Sequence, residues 1–479
     1  MLGVFTSGTT SGGHRLILYS RENIITSLES IRSLYDTGKI QKIFSYPQPT
    51  HTFGLVLGYM HAIIYQLEIC FFEGPYSKSA HQKWFAEVNE RTLTLGTPTH
   101  FLDLIQWVLE QKKPPIPSYT AIVGGASASK ILWQQMKDVL NIAAPSVGYG
   151  ATEASPGVTH LPPGIPPRVD GDIGYALPGV KIQSKSGLGI EFSGPNVCLA
   201  ILENGEFQAR RSIILKDHLH VDSSETLPRY SFAGRTDSLV NRGGAKLSLD
   251  SIEMKVAAHF GARVLAVALY DERLGEDVAI LINEAHPLEN FLQEEFGLRL
   301  NPKNILVQEI PLNLNGKMDR KEALKLVLRA KGLKPPVAVG HLRAFLPHRA
   351  GAIWVDRLLE TKKHFGICEV VVDPKKNYFS EDGFRSTACI EWVAQTYGYT
   401  AAMNEILQIQ AEKPSPRAFI VDVKYCEIPL AGVQLKEGDV LKVEVHCTHD
   451  FGSLKVVDGS VFYSEKLLAR MSLKLYCGQ

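Results

Sequence analysis

Thr6-Ser7-Gly8-Thr9-Thr10-Ser11-Gly12-Gly13 is a run of hydroxyls and glycines set directly after the apolar Leu2-Gly3-Val4-Phe5. Glycines let backbone N–H groups approach an anion and hydroxyls add further donors, so this composition suits a phosphate. The Gly-Lys-Ser/Thr ending of a Walker A loop is missing, which removes that form of phosphate binding. His14 and Arg15 follow instead, and of the two only Arg15 keeps a fixed positive charge. A second set of reactive types lies far downstream: His348, in Leu346-Pro347-His348-Arg349, and Glu391, in Ile390-Glu391-Trp392-Val393-Ala394-Gln395. Imidazole titrates near neutrality and suits a general base. Glu391 is flanked by apolar residues, and a carboxylate on a buried stripe is costly without a partner or a task, so it suits an acid. Gln395 lies one helical turn further along the same face, placed to orient that carboxyl.

These groups need elements to hold them. The opening reads as a short strand entering the loop, taken as part of a parallel sheet. Residues 55–72 are apolar but interrupted by His61, Gln66 and Glu68, which argues for a buried helix and a strand rather than a membrane span. Thr97-Pro98 starts a helix with proline in its first turn, and residues 156–178 read as a loop with short strands. Another helix opens around Ser251. His51 and His100 flank the apolar stretches as candidate pocket residues; a lone histidine there is more often a satisfied core group. From Lys331 the composition shifts, and Gly332, Pro335, Pro336 and Gly340 make a short, stiff linker. Beyond it, alternating runs at 366–372, 417–428, 439–446, 453–463 and 467–476 read as strands. One helix, 387–410, carries Ile390, Val393, Ala394, Tyr397 and Ala401 at helical spacing. One helix wrapped by an antiparallel sheet is the hot-dog arrangement.

Further motifs stand in a telling order. Gly124-Gly125-Ala126 follows the apolar Ala121-Ile122-Val123; then come Gly148-Tyr149-Gly150-Ala151-Thr152-Glu153, Leu215-Lys216-Asp217, Gly234-Arg235-Thr236-Asp237, Arg242-Gly243-Gly244 and Asn315-Gly316-Lys317. With the opening loop, this succession resembles the adenylate-forming acyl-CoA synthetases and carrier-protein ligases. The resemblance implies that Thr6, Ser7, Gly8, Thr9, Thr10 and Thr152 hold phosphate, that Gly125, Ala126, Tyr149 and Gly150 meet adenine, and that Asp217 and Arg235 grip the ribose. It further implies Glu153 as a magnesium ligand, Asp237 as the hinge of a mobile lobe, Gly243-Gly244 at the thioester step, His51 beside the acyl pocket and Lys317 as the lysine bridging carboxylate and α-phosphate. A cation held there would neutralise the charge that builds when two anions are joined. Taken singly, Asp217 would be a solvated loop residue, Glu153 a solvent-facing carboxylate and Lys317 a surface lysine of an Asn-Gly turn. Members of the family carry a large segment ahead of the phosphate loop, so the chain reads as truncated at its start. Ser11 also replaces a usual glycine.

From residue 342 onward, Leu-Pro-His-Arg, Val355-Asp356-Arg357 and Ile-Glu-x-x-Ala-Gln resemble the 3-hydroxyacyl-carrier-protein dehydratases, nearest those of aryl polyene pathways with their Asp-Gly stretch, here Asp382-Gly383. The resemblance implies His348 as base at Cα, Glu391 as acid for the leaving hydroxyl, and a free N–H near Gly383 at the helix start polarising the thioester carbonyl. It also implies that histidine and carboxylate come from opposite subunits, hence a homodimer or heterodimer. Gly383 and Gln395 are thereby substrate-side residues.

The expected fold is a multidomain α/β and α+β chain: a partial adenylate-forming large lobe (1–236), a small mobile lobe (237–330), a linker (331–341) and a single hot-dog domain (342–479). The expected function is ATP- and Mg²⁺-dependent activation of a small carboxylic acid with transfer to CoA or a carrier-protein phosphopantetheine, together with dehydration of 3-hydroxyacyl chains on acyl-carrier protein. A truncated ligase half that only docks carrier proteins, and a hot-dog thioesterase, are the competing readings; the second usually lacks the Leu-Pro-His-Arg histidine. Across 479 residues the net charge is +1, which implies no nucleic-acid partner, and seven cysteines without metal-type spacing fit a reducing cytoplasm.

Overall fold

The computed structural model describes residues 1–7, 14–72, 76–77, 79–185, 188–203, 206–313, 316–346, 348, 352–380, 383–409, 419–429 and 433–477. The chain divides into two compact units, one of residues 1–268 and 276–320, the other of 269–275 and 321–479.

The first unit is built on a nine-stranded mixed sheet. Its parallel part runs through Glu68–Phe71, Lys42–Ser45, Thr92–Gly96, Ser118–Val123 and Ile142–Gly150. All of Thr92–Gly96 is buried, as expected of a strand covered on both faces. Past Ile142–Gly150 the sheet turns antiparallel through Gly157–Leu161, Asp172–Ala176, Arg229–Arg235 and Asp217–Asp222. One hydrophobic cluster gathers Leu28, Val56, Leu93 and Ile122, another Phe44, Trp84, Phe101 and Met136. A smaller five-stranded sheet, with strands Val264–Asp271 and Gly275–Ile282, packs Val278 and Ile280 against Ile252 and Val256 of helix Leu249–Phe260.

The opening strand departs from expectation. Leu2–Ser7 pairs antiparallel with His14–Tyr19, in a four-stranded sheet of its own rather than a parallel one. The loop between them, with Gly8, Thr9 and Thr10, lies outside the described residues. Residues 55–72 resolve into a π-helical turn, Phe53–Met60, a short helix, His61–Tyr65, and the strand Glu68–Phe71.

In the second unit a seven-stranded sheet curves about one helix, Ala388–Ile406. Glycines make that approach feasible. A Cβ at Gly366 would collide with Thr400, and one at Gly459 with Val393, so the strands are notched where the helix lies on them. Trp392, Val393, Tyr399 and Met403 are buried along the helix. The sheet begins earlier than expected: Val337–Ala338, inside the expected linker, pairs with Arg357–Lys362. Helix Arg320–Ala330 also falls with this unit from residue 321 on, where Lys325 bonds to Glu405 and Arg329 to the Ile406 carbonyl. Among the described residues no helix is long and apolar enough to cross a membrane.

The notch at Gly459 predicts that Gly459→Ala lowers unfolding stability by about 1–3 kcal/mol through overpacking. Combining it with Val393→Ala should return part of that loss in urea titrations followed by circular dichroism; simple additivity would refute the contact.

Candidate functional site

In the first unit the carboxyl ends of adjacent parallel strands open into one cavity of about 910 Å³. Ligands of open α/β sheets bind at such ends. Thr92–Gly96 leads to Thr97, Ser118–Val123 to Gly125 and Ala126, and Ile142–Gly150 ends with Tyr149 and Gly150 on the cavity wall. A short 3₁₀ turn, Thr152–Ala154, supplies Thr152 and the buried Glu153. On the antiparallel side Asp217 and Arg235 face each other in register, and both reach the same space.

The electrostatics follow from this geometry. Tyr149 Oη donates to Asp217 Oδ2 at 2.5 Å, and the Arg235 guanidinium lies 3.1 Å from Asp217 Oδ1. Oδ1 is buried yet receives no hydrogen bond among the described residues, an acceptor left for a ligand hydroxyl. Burial raises the Asp217 pKa above the ordinary aspartate value, against the opposing pull of Tyr149 and Arg235. Burial, then the Asp217 charge, pushes the Tyr149 phenol well up. Arg235 is raised by its bonds to Asp237, at 2.8 and 3.0 Å. Asp237 sits in the 3₁₀ turn Thr236–Ser238.

Arg15, opposite Thr6 in the opening hairpin, donates to Glu153 Oε1 at 2.8 Å. The sequence marks Arg15 only as a charge near phosphates; its pairing with Glu153 is a feature of the fold. One carboxylate together with phosphate oxygens is a donor set suited to Mg²⁺, with Arg15 sharing the carboxylate. Lys317 enters the cavity from the turn after Leu312. Gly125 has φ +81°, and a Cβ built on it would lie 3.5 Å from the Lys317 Nζ, so the missing side chain opens the approach. Although Lys317 as a residue is exposed, loss of water around its ammonium lowers its pKa from the ordinary lysine value. Arg320, missed in the sequence, braces the base of this turn through Asp250 at 2.6 Å and Glu253 at 2.7 Å. His51 lines a smaller adjoining cavity of about 120 Å³ with Phe53 and His160. Gly243 and Gly244, at φ +58° and +93°, form an exposed hairpin turn.

The second unit brings His348 and Glu391 together: Nε2 lies 2.9 Å from Oε1. Gln395 Nε2 donates to the same Glu391 oxygen at 2.8 Å and to the Ala352 carbonyl at 2.7 Å, while Trp354 N–H donates to Gln395 Oε1 at 2.9 Å. The glutamine is thus clamped by the backbone of Ala352 and Trp354. Here both groups belong to one chain. Leu346 packs where Gly398 leaves room on the helix. Gly383 is a correction: it sits in the two-stranded hairpin Phe379–Ser380/Gly383–Phe384, ahead of the helix that begins at Ala388.

His364, Cys447 and Asp450 also place ligand atoms within 4.8 Å of one another. Lys455 already meets Asp450 at 2.5 Å, so a cation occupies that position without a metal.

Comparison with known proteins also separates an amino-terminal from a carboxy-terminal part. Residues 2–187 match the AMP-binding enzyme family model and residues 340–479 that of ApeP dehydratase. The chain joins an AMP-binding domain to an ApeP-like dehydratase domain. The AMP-binding part is similar to the mitochondrial medium-chain acyl-CoA ligase ACSF2 of Danio rerio, 26% identical over 358 residues covering 69% of this chain and 58% of the relative. It is also similar to the acyl-CoA ligase sidI of Aspergillus fumigatus, 23% identical over 67% of this chain and 60% of that protein. The chain therefore spans about three-fifths of the length of these curated relatives. In fold it is similar to the anthranilate CoA ligase AuaEII in complex with anthranoyl-AMP, with TM-score 0.55, 17% identity and coverage of 69% of this chain and 68% of that one. ATP-bound MatB from Rhodopseudomonas palustris aligns with TM-score 0.54 and 20% identity, covering 68% of each chain.

Proposed function

We propose that the AMP-binding domain activates a carboxylic acid as its acyl-adenylate and passes the acyl group to a thiol of CoA or carrier-protein phosphopantetheine, and that the dehydratase domain converts 3-hydroxyacyl-carrier-protein to the trans-2-enoyl thioester. The observation that carries the first half is the convergence of Tyr149, Thr152, Asp217, Arg235 and Lys317 on one cavity. The acid's oxygen attacks the α-phosphorus, the bond to the bridging oxygen breaks, and pyrophosphate leaves. Lys317 meets the negative charge shared between the two anions, and Thr152 holds the α-phosphate in line. Asp217 Oδ1 accepts from the ribose. Mg²⁺, when bound beside Glu153, supplies further charge neutralisation at the phosphates. The thiolate then attacks the acyl carbon and AMP departs.

For the second half, His348 Nε2 removes the Cα proton, the Cβ–oxygen bond breaks as the double bond forms, and the Glu391 carboxyl delivers a proton so that water leaves. The 2.9 Å contact between the two groups lets the proton gained by His348 return to Glu391. Gln395 is read as the residue that keeps the carboxyl on that line. A second dehydratase domain is the proposed partner. The edge strand Phe419–Glu427 pairs on one side only among the described residues and exposes Phe419, Val421, Val423 and Tyr425, and a long apolar edge is a template for pairing. The cytoplasm is the compartment proposed, on the seven free cysteines.

ATP–pyrophosphate exchange driven by a panel of aliphatic and aryl acids should detect the first activity, and Lys317→Ala should lower its kcat by roughly 100-fold or more; exchange equal in variant and wild type would remove Lys317 from the chemistry. With 3-hydroxyacyl-carrier protein as substrate, His348→Ala and Glu391→Gln should each reduce enoyl formation by about 10²–10⁴-fold. Free-thiol release sensitive to Glu391→Ala alone would favour the thioesterase instead. Light scattering on the purified chain should give a dimer that Val421→Lys dissociates, whereas a monomer at all concentrations would point to a paralogous partner.

A further inference from the structure

A set of polar groups that the proposed chemistry leaves unused lies behind the Lys317 turn. Asp103, on helix Pro98–Glu110, forms an ion pair with Arg263, which precedes strand Val264–Asp271 of the smaller sheet. The two side chains are only 13% and 14% exposed. The other carboxylate oxygen accepts from Tyr76 Oη at 2.7 Å, so the aspartate is held from two directions. Arg263 is itself anchored, its N–H donating to Asn283 Oδ1 at 2.8 Å.

Beside this pair the turn that bears Lys317 rests on two aromatic rings. Gly316 is at φ +70°, and a Cβ there would collide with His100 Nε2 and lie 3.1 Å from Tyr76 Cγ. The Tyr76 and His100 rings meet edge-on at 4.6 Å, and Tyr46 stacks on His100 at 5.0 Å. His100 is fixed in turn: its Nδ1 accepts the Thr97 N–H at 3.0 Å in the capping box of its helix. Burial, with His81, Lys317 and Arg263 nearby, lowers its pKa to about 3, so a neutral ring faces the lysine turn. An uncharged platform lets an ammonium come close without like-charge repulsion.

We propose that Asp103, Arg263, Tyr76 and His100 form a cradle that positions Lys317 in the cavity, the ion pair fixing the smaller sheet against the larger and the two rings seating Gly316. The cradle rests on the adenylate-forming reading for its purpose but not for its existence. A lysine side chain loses rotamer entropy when fixed, and a fixed backbone turn reduces what remains to be ordered at the moment of reaction. These are positioning residues, since none of them is assigned contact with the reacting atoms.

Hydrogen–deuterium exchange of the full chain tests the cradle without any activity. In Arg263→Met and in Gly316→Ala, amides of residues 311–319 should exchange roughly tenfold faster, while the core strand Ile142–Gly150 keeps its protection. Arg263→Lys should keep most of the protection. In pyrophosphate exchange, Arg263→Met should lower kcat about 10–100-fold with the KM for ATP changed less than about twofold, because a misplaced lysine is missed in the transition state rather than in ground-state binding. Should Arg263→Met unfold the core strand as well, Asp103→Asn, which keeps shape and one acceptor, takes its place. Unchanged exchange at 311–319 overturns the cradle, and so does faster exchange with an unaltered kcat. Faster exchange in a wild-type background that activates no acid leaves the cradle standing and removes the adenylation reading instead.

Discussion

The amino-terminal site depends on the parallel register of three buried strands, Thr92–Gly96, Ser118–Val123 and Ile142–Gly150. Thr94 pairs with Ala121 and Ile122 with Ser146, which brings the three carboxyl ends level. A slip of one residue would reverse every side chain and turn Thr97, Gly125 and Tyr149 away from their common space. Packing on both faces opposes such a slip, because Leu93, Leu95 and Ile122 belong to one hydrophobic cluster and Ala121, Val123 and Val147 to the other. Packing thus sets the geometry that the polar groups use.

The polar groups in turn are arranged so that, among the described residues, the buried and half-buried carboxylates of these sites have counter-groups. Asp217 has Tyr149 and Arg235, Glu153 has Arg15, Asp103 has Tyr76 and Arg263, and Glu391 has His348 and Gln395. An unpaired buried charge is strongly destabilising, so each acid is retained only with a counter-group. The partners differ in kind. A guanidinium keeps its proton and holds position, whereas an imidazole 2.9 Å from a carboxyl can exchange one. On the function proposed above, that difference separates a binding cleft from an elimination centre within one polypeptide.

Much of this was legible before the fold. Tyr149, Thr152, Asp217, Arg235 and Lys317 were singled out as a set, and they line one cavity; Gln395 was placed on the face of Glu391 by helical spacing alone. Long periodic elements were also readable, the helix Ala388–Ile406 and the strands flanking it among them. What escaped were contacts between distant segments. Nothing local marks Arg263 as the partner of Asp103, 160 positions away, or Arg15 as the partner of Glu153. The antiparallel pairing of Leu2–Ser7 was missed because an apolar run carries no sign of its neighbour's direction. Gly383 was set at a helix start because hairpins of two-residue strands are too short to leave a periodic trace.

The strand Val337–Ala338 has a consequence for how such a chain can arise. It precedes residue 340, where the dehydratase family match begins, yet it forms a rung of that domain's sheet. The seam between the two modules is therefore woven into one of them. Recombination that respected the family boundary would hand its new host a sheet short of its first rung, with Leu358 stripped of its neighbour. Lineages that shuffle these modules should carry the proline-rich stretch along with the dehydratase, as part of its inheritance rather than as a spacer.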